Sequence, residues 1–216
     1  MRRSGGNKII VVENKIDLDF LSRHTARTIF SAHKRKEIFY QMRLRKIEPS
    51  DLPFLYQWEN DATMWADSDT HNPLSRHDLH QYIENTTGDI YRDGQLRLII
   101  EDNDATQRLL NTTQLSPSIV GCIDLFDFDA RNRKAAIGMY IAPEARGKGV
   151  GKQAVQLLLD YAFGFLHLRM VYAIISVHNV ACSHIYEQMG FAPSSLLRDW
   201  TLEGDAILWQ KRNVEV

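Results

Sequence analysis

The residues best suited to chemistry form a short run, Arg146-Gly147-Lys148-Gly149-Val150-Gly151, followed by Lys152. Three glycines let successive backbone N–H groups converge, a helix predicted to start at Val150 adds the positive end of its dipole, and Arg146, Lys148 and Lys152 add full charges. A phosphate or pyrophosphate is the natural guest. Spacing excludes two familiar phosphate loops: nothing here fits the Gly-Lys-Ser/Thr of a P-loop, and a dinucleotide fingerprint needs glycine where Lys152 stands. Further on, Asn179 and Tyr186 are seven residues apart, close to two helical turns, so both project from nearly the same side of a short helix. A phenol keeps its proton at pH 7 and can donate it.

The elements that must position these residues can be read from hydrophobic periodicity. Arg43–Ile47 alternates like a first strand, and Glu48-Pro49-Ser50-Asp51 supplies a turn and an N-cap for a helix whose apolar side is Leu52, Leu55, Tyr56 and Trp58. Ser75 and Asp78 resemble a capping box opening a second helix through Asn85. Leu96–Glu101, Ile119–Phe126 and Ala135–Ala142 read as strands, with a polar connection 102–118 between the first two. Val150, Ala154, Val155, Leu157, Leu158, Tyr161, Ala162 and Phe165 mark the clearest helix, with a broad apolar face suited to packing on a sheet. Met170–Val177 is a further strand, Val180–Met189 a short helix ended by Gly190, and two last strands meet near Glu203-Gly204. Strands alternate with helices but also run consecutively, which gives an α/β fold built on a mixed sheet with helices on both faces.

The glycine run after Ile137–Ile141 and Pro143, together with Asn179, Tyr186 and Gly190-Phe191, resembles the motifs of the GCN5-related N-acetyltransferase (GNAT) superfamily. The resemblance covers residues 42–216. It implies a mostly antiparallel central sheet and acetyl-CoA as co-substrate, with no metal. It further implies that the backbone amides of Arg146, Gly147, Lys148, Gly149, Val150 and Gly151 bind the coenzyme A pyrophosphate. The backbone of Met139, Tyr140 and Ile141 would pair with the pantetheine across a splayed gap before the strand 170–177. By the same resemblance Asn179 helps to bind the cofactor, Tyr186 donates a proton to the departing thiolate, and the Met139 N–H stabilises the oxyanion. Gly138 is compatible with a bulge or a close backbone approach.

For deprotonation of the amine the chain departs from relatives that carry a strand glutamate, since Ala135-Ala136 stands there. A water chain, or Asp124 from the neighbouring strand, would take its place. Cys182 reads as a small buried thiol, because the family transfers directly in a ternary complex. His77 and His80 share a helix face without a third ligand at a recognised spacing, and His178 reads as a packing residue.

Between Ile47 and Ser75 there is no Lys or Arg, but there are six acids: Glu48, Asp51, Glu59, Asp61, Asp67 and Asp69. In the resembled family this region walls the acceptor site, so Glu59, Asp67 and Asp124 are expected to attract a cationic acceptor. The run Trp58-Glu59-Asn60-Asp61 with Trp65 resembles the branch holding polyamine and ribosomal-protein N-terminal acetyltransferases. Trp58 and Trp65 either pack on aliphatic amine chains or belong to the core. The expected activity is acetylation of a di- or polyamine. The alternatives are acetylation of a protein N-terminus or lysine, and a non-catalytic acyl-CoA-binding module.

Among 216 residues the formal net charge of −1 is a cancellation: residues 1–41 hold 9 basic and 4 acidic side chains, residues 42–216 hold 17 and 23. The first 41 residues read either as a disordered basic arm able to meet nucleic acid or anionic lipid, or as an extension upstream of initiation at Met42. An acidic domain from residue 42 to 216 points toward amines and away from nucleic acid and membrane. Two isolated cysteines, Cys122 and Cys182, and no apolar run long enough for export or a bilayer point to the cytoplasm. A homo-oligomer is expected.

Overall fold

The computed structural model describes residues 42–62, 72–102 and 118–214. In chain order the elements are β1 (Met42–Lys46), a 3-10 turn (Pro49–Asp51), α1 (Leu52–Glu59), α2 (Arg76–Asn85), α3 (Ile90–Asp93), β2 (Leu96–Asp102) and β3 (Ser118–Asp129). Then come β4 (Lys134–Ile141), α4 (Val150–Asp160) with a π turn (Tyr161–Phe165), β5 (Met170–Ser176), α5 (Val180–Gln188), β6 (Ala192–Thr201) and β7 (Gly204–Arg212). The strands form one seven-stranded sheet in the order β1-β2-β3-β4-β5-β7-β6. Every neighbouring pair is antiparallel except β4 with β5.

The period-2 alternation of the strands divides the core between the two faces. Leu98, Ile123, Leu125 and Ile137 pack with Val150, Ala154, Val155 and Leu158 of α4. Ile99 and Cys122 face the other way, against Leu55 and Trp58 of α1 and Leu79 and Ile83 of α2. Burying each such Leu or Ile is worth about 1.5–3 kcal/mol, so the helices are held mainly by these stripes.

Local signals explain most boundaries. Ser75 accepts from the Asp78 N–H at 3.1 Å while Asp78 accepts from the Ser75 N–H at 3.1 Å, a reciprocal cap that opens α2 as the sequence predicts. Asp51 departs from its expected role: it does not cap α1 with its side chain but accepts from the Glu48 N–H at 2.7 Å, completing the 3-10 turn. The long helix also ends earlier than its apolar pattern. At Tyr161 the backbone widens to π geometry, which turns Phe165 outward to 57% exposure while Tyr161 and Ala162 stay buried. Helix α3 is too short for periodicity to reveal; Asp89 caps its start and Gly94, at φ 71°, ends it.

Candidate active site

β4 and β5 pair at Lys134–Met170, Ala135–Val171 and Ala136–Tyr172, and among the described residues their ladder goes no further. Ile137–Ile141 stays bonded on its other side to β3, so it presents a row of backbone groups toward β5 without a strand to receive them. Parallel neighbours that part in this way leave a wedge, and an extended chain with its own amide groups is the natural filling.

The wedge lies beside the glycine loop. Gly147 and Gly149 adopt φ of 73° and 80°, a conformation that L side chains resist, and Gly149 stands at the N-cap of α4 without a side-chain cap. The first N–H groups of the helix therefore have no partner within the helix. Gly151 serves a different need: a Cβ there would meet Ile185 Cδ1 of α5 and Met139 Cε of β4, both at 3.1 Å. Its bareness lets α4, α5 and β4 converge. Arg146 donates from Nε to the Ile141 carbonyl at 2.9 Å, and Lys148 from Nζ to the Glu144 carbonyl at 2.6 Å. Both side chains and Lys152 are exposed. An exposed helix N-terminus with three cations suits a doubly charged phosphate ester.

Asn179 accepts from the Cys182 N–H at 3.0 Å and so caps α5. Tyr186 is 2% exposed and meets Phe191 edge-on at 4.8 Å. Burial, followed by the neighbouring Cys182 and the charge of Asp124, holds its phenol well above the usual value. It is a phenol that keeps its proton at any physiological pH.

Asp124 stands opposite Gly138 in the β3–β4 register, one strand from the wedge. The register runs unshifted through Gly138, and what crowds it is the Phe126 ring, 3.2 Å from where a Cβ would stand; no bulge forms there. Asp124 is joined to Glu59 through Arg97 of β2. The guanidinium donates from Nε to Asp124 Oδ1 at 3.0 Å, from Nη2 to Oδ2 at 2.8 Å, and from Nη1 to Glu59 Oε1 at 2.5 Å. Burial opposes the Arg97 charge, but Asp124 and Glu59 outweigh it and hold the group charged well above its usual range. The same surroundings, burial foremost, push the Cys122 thiol up to about 12, which leaves it unreactive. A cleft of about 330 Å³ adjoins this cluster, lined by Glu59 and Arg97 with Leu74, Leu79 and Tyr82.

Sequence reading overlooked Arg97. The signal was present: it is a lone arginine on a strand whose next residue on the same face, Ile99, is fully buried, and a cation in that position requires carboxylate partners. The acid-rich segment is also less uniform than its composition indicates. Asp51 is fully buried and held by Arg45, Nη1 to Oδ2 at 2.6 Å and Nη2 to Oδ1 at 2.7 Å, so it belongs to the interior and not to an acceptor wall. Trp58 is 7% exposed and packed between Phe54 and Tyr140, which makes it a core residue. Asp67, Trp65 and Asp69 lie outside the described residues, as do residues 1–41. His77, His80 and His178 are exposed; His80 faces Glu84 at 3.4 Å, and the packing role expected of His178 does not hold, because it stands in the open turn after β5.

A mixed sheet with one splayed parallel junction, closed by a glycine loop at a helix N-terminus, defines an acyl-transferase fold. The acetyltransferase (GNAT) domain model matches residues 41–192, and the chain belongs to that family. It is 26% identical over 168 residues to spermidine N(1)-acetyltransferase of Vibrio cholerae, covering 76% of this chain and 87% of that protein. Over 82 residues it is 39% identical to a putative ribosomal N-acetyltransferase of Bacillus subtilis, covering 38% of this chain and 45% of that one. Among solved structures, spermidine N-acetyltransferase from Vibrio cholerae in complex with CoA and spermine superposes with a TM-score of 0.67 at 23% identity, over 80% of this chain and 95% of that chain. The likeness extends to the fold as a whole.

Proposed function

We propose that this acetyltransferase moves an acetyl group from acetyl-CoA to a primary amine, with a small cationic di- or polyamine as acceptor, by direct transfer in a ternary complex. The observation that carries the reading is the open edge of Ile137–Ile141 leading to the N-terminus of α4. The amides of Arg146–Gly151 would hold the pyrophosphate, with Arg146, Lys148 and Lys152 screening its charge, and the backbone of Met139, Tyr140 and Ile141 would pair with the pantetheine. Acetyl-CoA supplies an activated acyl group on a thiol leaving group. The Met139 N–H is assigned to the developing oxyanion and the Tyr186 hydroxyl to the proton that the departing thiolate takes up. Asp124, tied to Arg97, is an acceptor anchor, and the ammonium proton leaves to it or to water beside it.

The polyamine preference draws support from the similarity to spermidine N(1)-acetyltransferase over 168 residues and from the two carboxylates Glu59 and Asp124 on the acceptor face. Asp67 completes the proposed set from outside the described residues. Similarity to a ribosomal N-acetyltransferase over 82 residues favours a second reading, acetylation of a protein N-terminus. Self-association is also proposed, supported by the outer strand β6, where Leu196 and Trp200 are about half exposed or more, at 49% and 58%. Among the described residues no helix is long and apolar enough to cross a membrane.

The test is release of free coenzyme A by the full chain with acetyl-CoA and a panel of spermidine, spermine, diamines, amino acids and N-terminal peptides. Turnover on polyamines that weakens with added salt is expected. Turnover on peptides alone would replace the acceptor assignment, and binding of acetyl-CoA with no turnover would favour a non-catalytic module. Tyr186→Phe is expected to lower kcat by about 100-fold while acetyl-CoA still binds; undiminished thiol release would overturn the proton-donor assignment.

A further inference from the structure

We propose that Arg97 is a positioning residue for the acceptor. Its guanidinium fork joins Glu59, at the end of α1, to Asp124 on β3, and holds two carboxylates from distant parts of the chain as one cluster. The inference rests on the reading of this face as the amine side of the transfer and names the group that organises it.

The cluster is neither surface decoration nor a dry ion pair. The side chains of Arg97, Glu59 and Asp124 are 23%, 18% and 19% exposed, so the charges are partly shielded from bulk solvent; Glu59 and Arg97 line the adjoining cleft, and Asp124 stands behind Arg97. Asp124 receives a two-pronged grip from Arg97, which fixes the plane of its carboxylate, whereas Arg97 gives Glu59 one N–H. Glu59 is the last residue of α1, where the helix dipole disfavours an anion. Arg97 offsets that cost and draws the end of α1 onto the sheet. The guanidinium also lies 5.7 Å from the Tyr82 ring of α2, so one side chain touches both helices and the strand bearing Asp124.

A consequence is charge counting. Two carboxylates without Arg97 would repel one another. With Arg97 between them they keep fixed directions and together one unit of negative charge, to which Asp78 on the cleft wall adds another. A lysine cannot reproduce the arrangement, because a point charge has no fork with which to hold both partners.

The experiment is steady-state kinetics of the full chain with spermidine and acetyl-CoA, for Arg97→Met, Arg97→Lys, Asp124→Asn and Arg97→Met combined with Asp124→Asn. Arg97→Met is expected to raise the spermidine KM about tenfold or more and leave the acetyl-CoA KM within about twofold. If Arg97 acts through Asp124, the combined variant should lose no more than about threefold beyond Asp124→Asn alone. Losses that multiply, or an acetyl-CoA KM that rises in step, would overturn the proposal. Should Arg97→Met not fold, Arg97→Lys decides: a spermidine KM raised about threefold or more supports the fork, and wild-type kinetics refute it. A parent protein that acetylates no amine removes the acceptor reading and this inference together. A parent that acetylates spermidine and is indifferent to Arg97 removes this inference alone.

Discussion

Trp58 of α1 and Tyr140 of β4 pack with ring centroids 5.1 Å apart and planes tilted by 35°, and the Arg146 guanidinium lies 5.9 Å from the same tyrosine ring. This column joins the helix on the acceptor side to the strand and loop assigned to the donor. Because Trp58 is buried in it, truncation removes core contacts and not an acceptor contact. Trp58→Ala is expected to cost about 3–5 kcal/mol in urea unfolding, whereas Trp58→Phe keeps most of the stability. A Trp58→Ala protein of parental stability with a raised amine KM would instead make Trp58 part of the acceptor wall.

Gly147 and Gly94 have nearly the same backbone, φ 73° and 71°, and in both cases a Cβ would meet nothing within 4 Å. Alanine at either therefore pays the same left-handed strain, about 1–2 kcal/mol, with no clash. Only Gly147 belongs to the loop assigned to the pyrophosphate. Gly94→Ala is expected to lower stability alone, and Gly147→Ala to lower stability similarly and raise the acetyl-CoA KM as well. Equal KM values in the two variants would separate the loop from donor binding.

Much of this molecule was legible in the sequence. The glycine loop, the Ser75–Asp78 cap and the strand-forming runs of β2 to β5 depend on neighbours a few residues apart, so local sequence reveals them. What spacing hid was partnership across the sheet. Arg97 is 38 residues from Glu59 and 27 from Asp124, and their union depends on strand register and helix placement. The same holds for Asp51, whose position after a Pro-Ser turn imitates a helix cap while its carboxylate is taken by Arg45. The π turn escaped because its residues continue the apolar composition of α4 and change only the pitch.

Asp51 offers a sharp separation of structural from acceptor acids. Its carboxylate is fully buried and held at both oxygens by Arg45, which also pairs with Glu101 at 2.5 Å. Removing Asp51 leaves Arg45 with Glu101 as its remaining carboxylate and strips the Glu48 N–H of its acceptor. Asp51→Ala is therefore expected to destabilise the protein by about 3–5 kcal/mol in denaturant unfolding. At a temperature where the variant remains folded, the spermidine KM should match the parent. A KM change at parental stability would return Asp51 to the acceptor side.

Five tyrosines, Tyr82, Tyr140, Tyr161, Tyr172 and Tyr186, have phenols raised above their ordinary value, each chiefly by burial, and Tyr161 is pushed up to about 12. The unfolded chain releases these protons near pH 10, while the folded protein retains them. Above that pH the folded state binds more protons than the unfolded state, so the unfolding free energy must fall as pH rises. The contribution of Tyr161 is fully present below about pH 10 and is lost as pH climbs toward about 12. Tyr161→Phe removes one proton from this balance and is expected to flatten the decline by up to about 1.4 kcal/mol per pH unit between those limits. Urea midpoints measured at half-unit steps through this window test it, and parallel curves for parent and variant would show that the phenol ionises without regard to the fold.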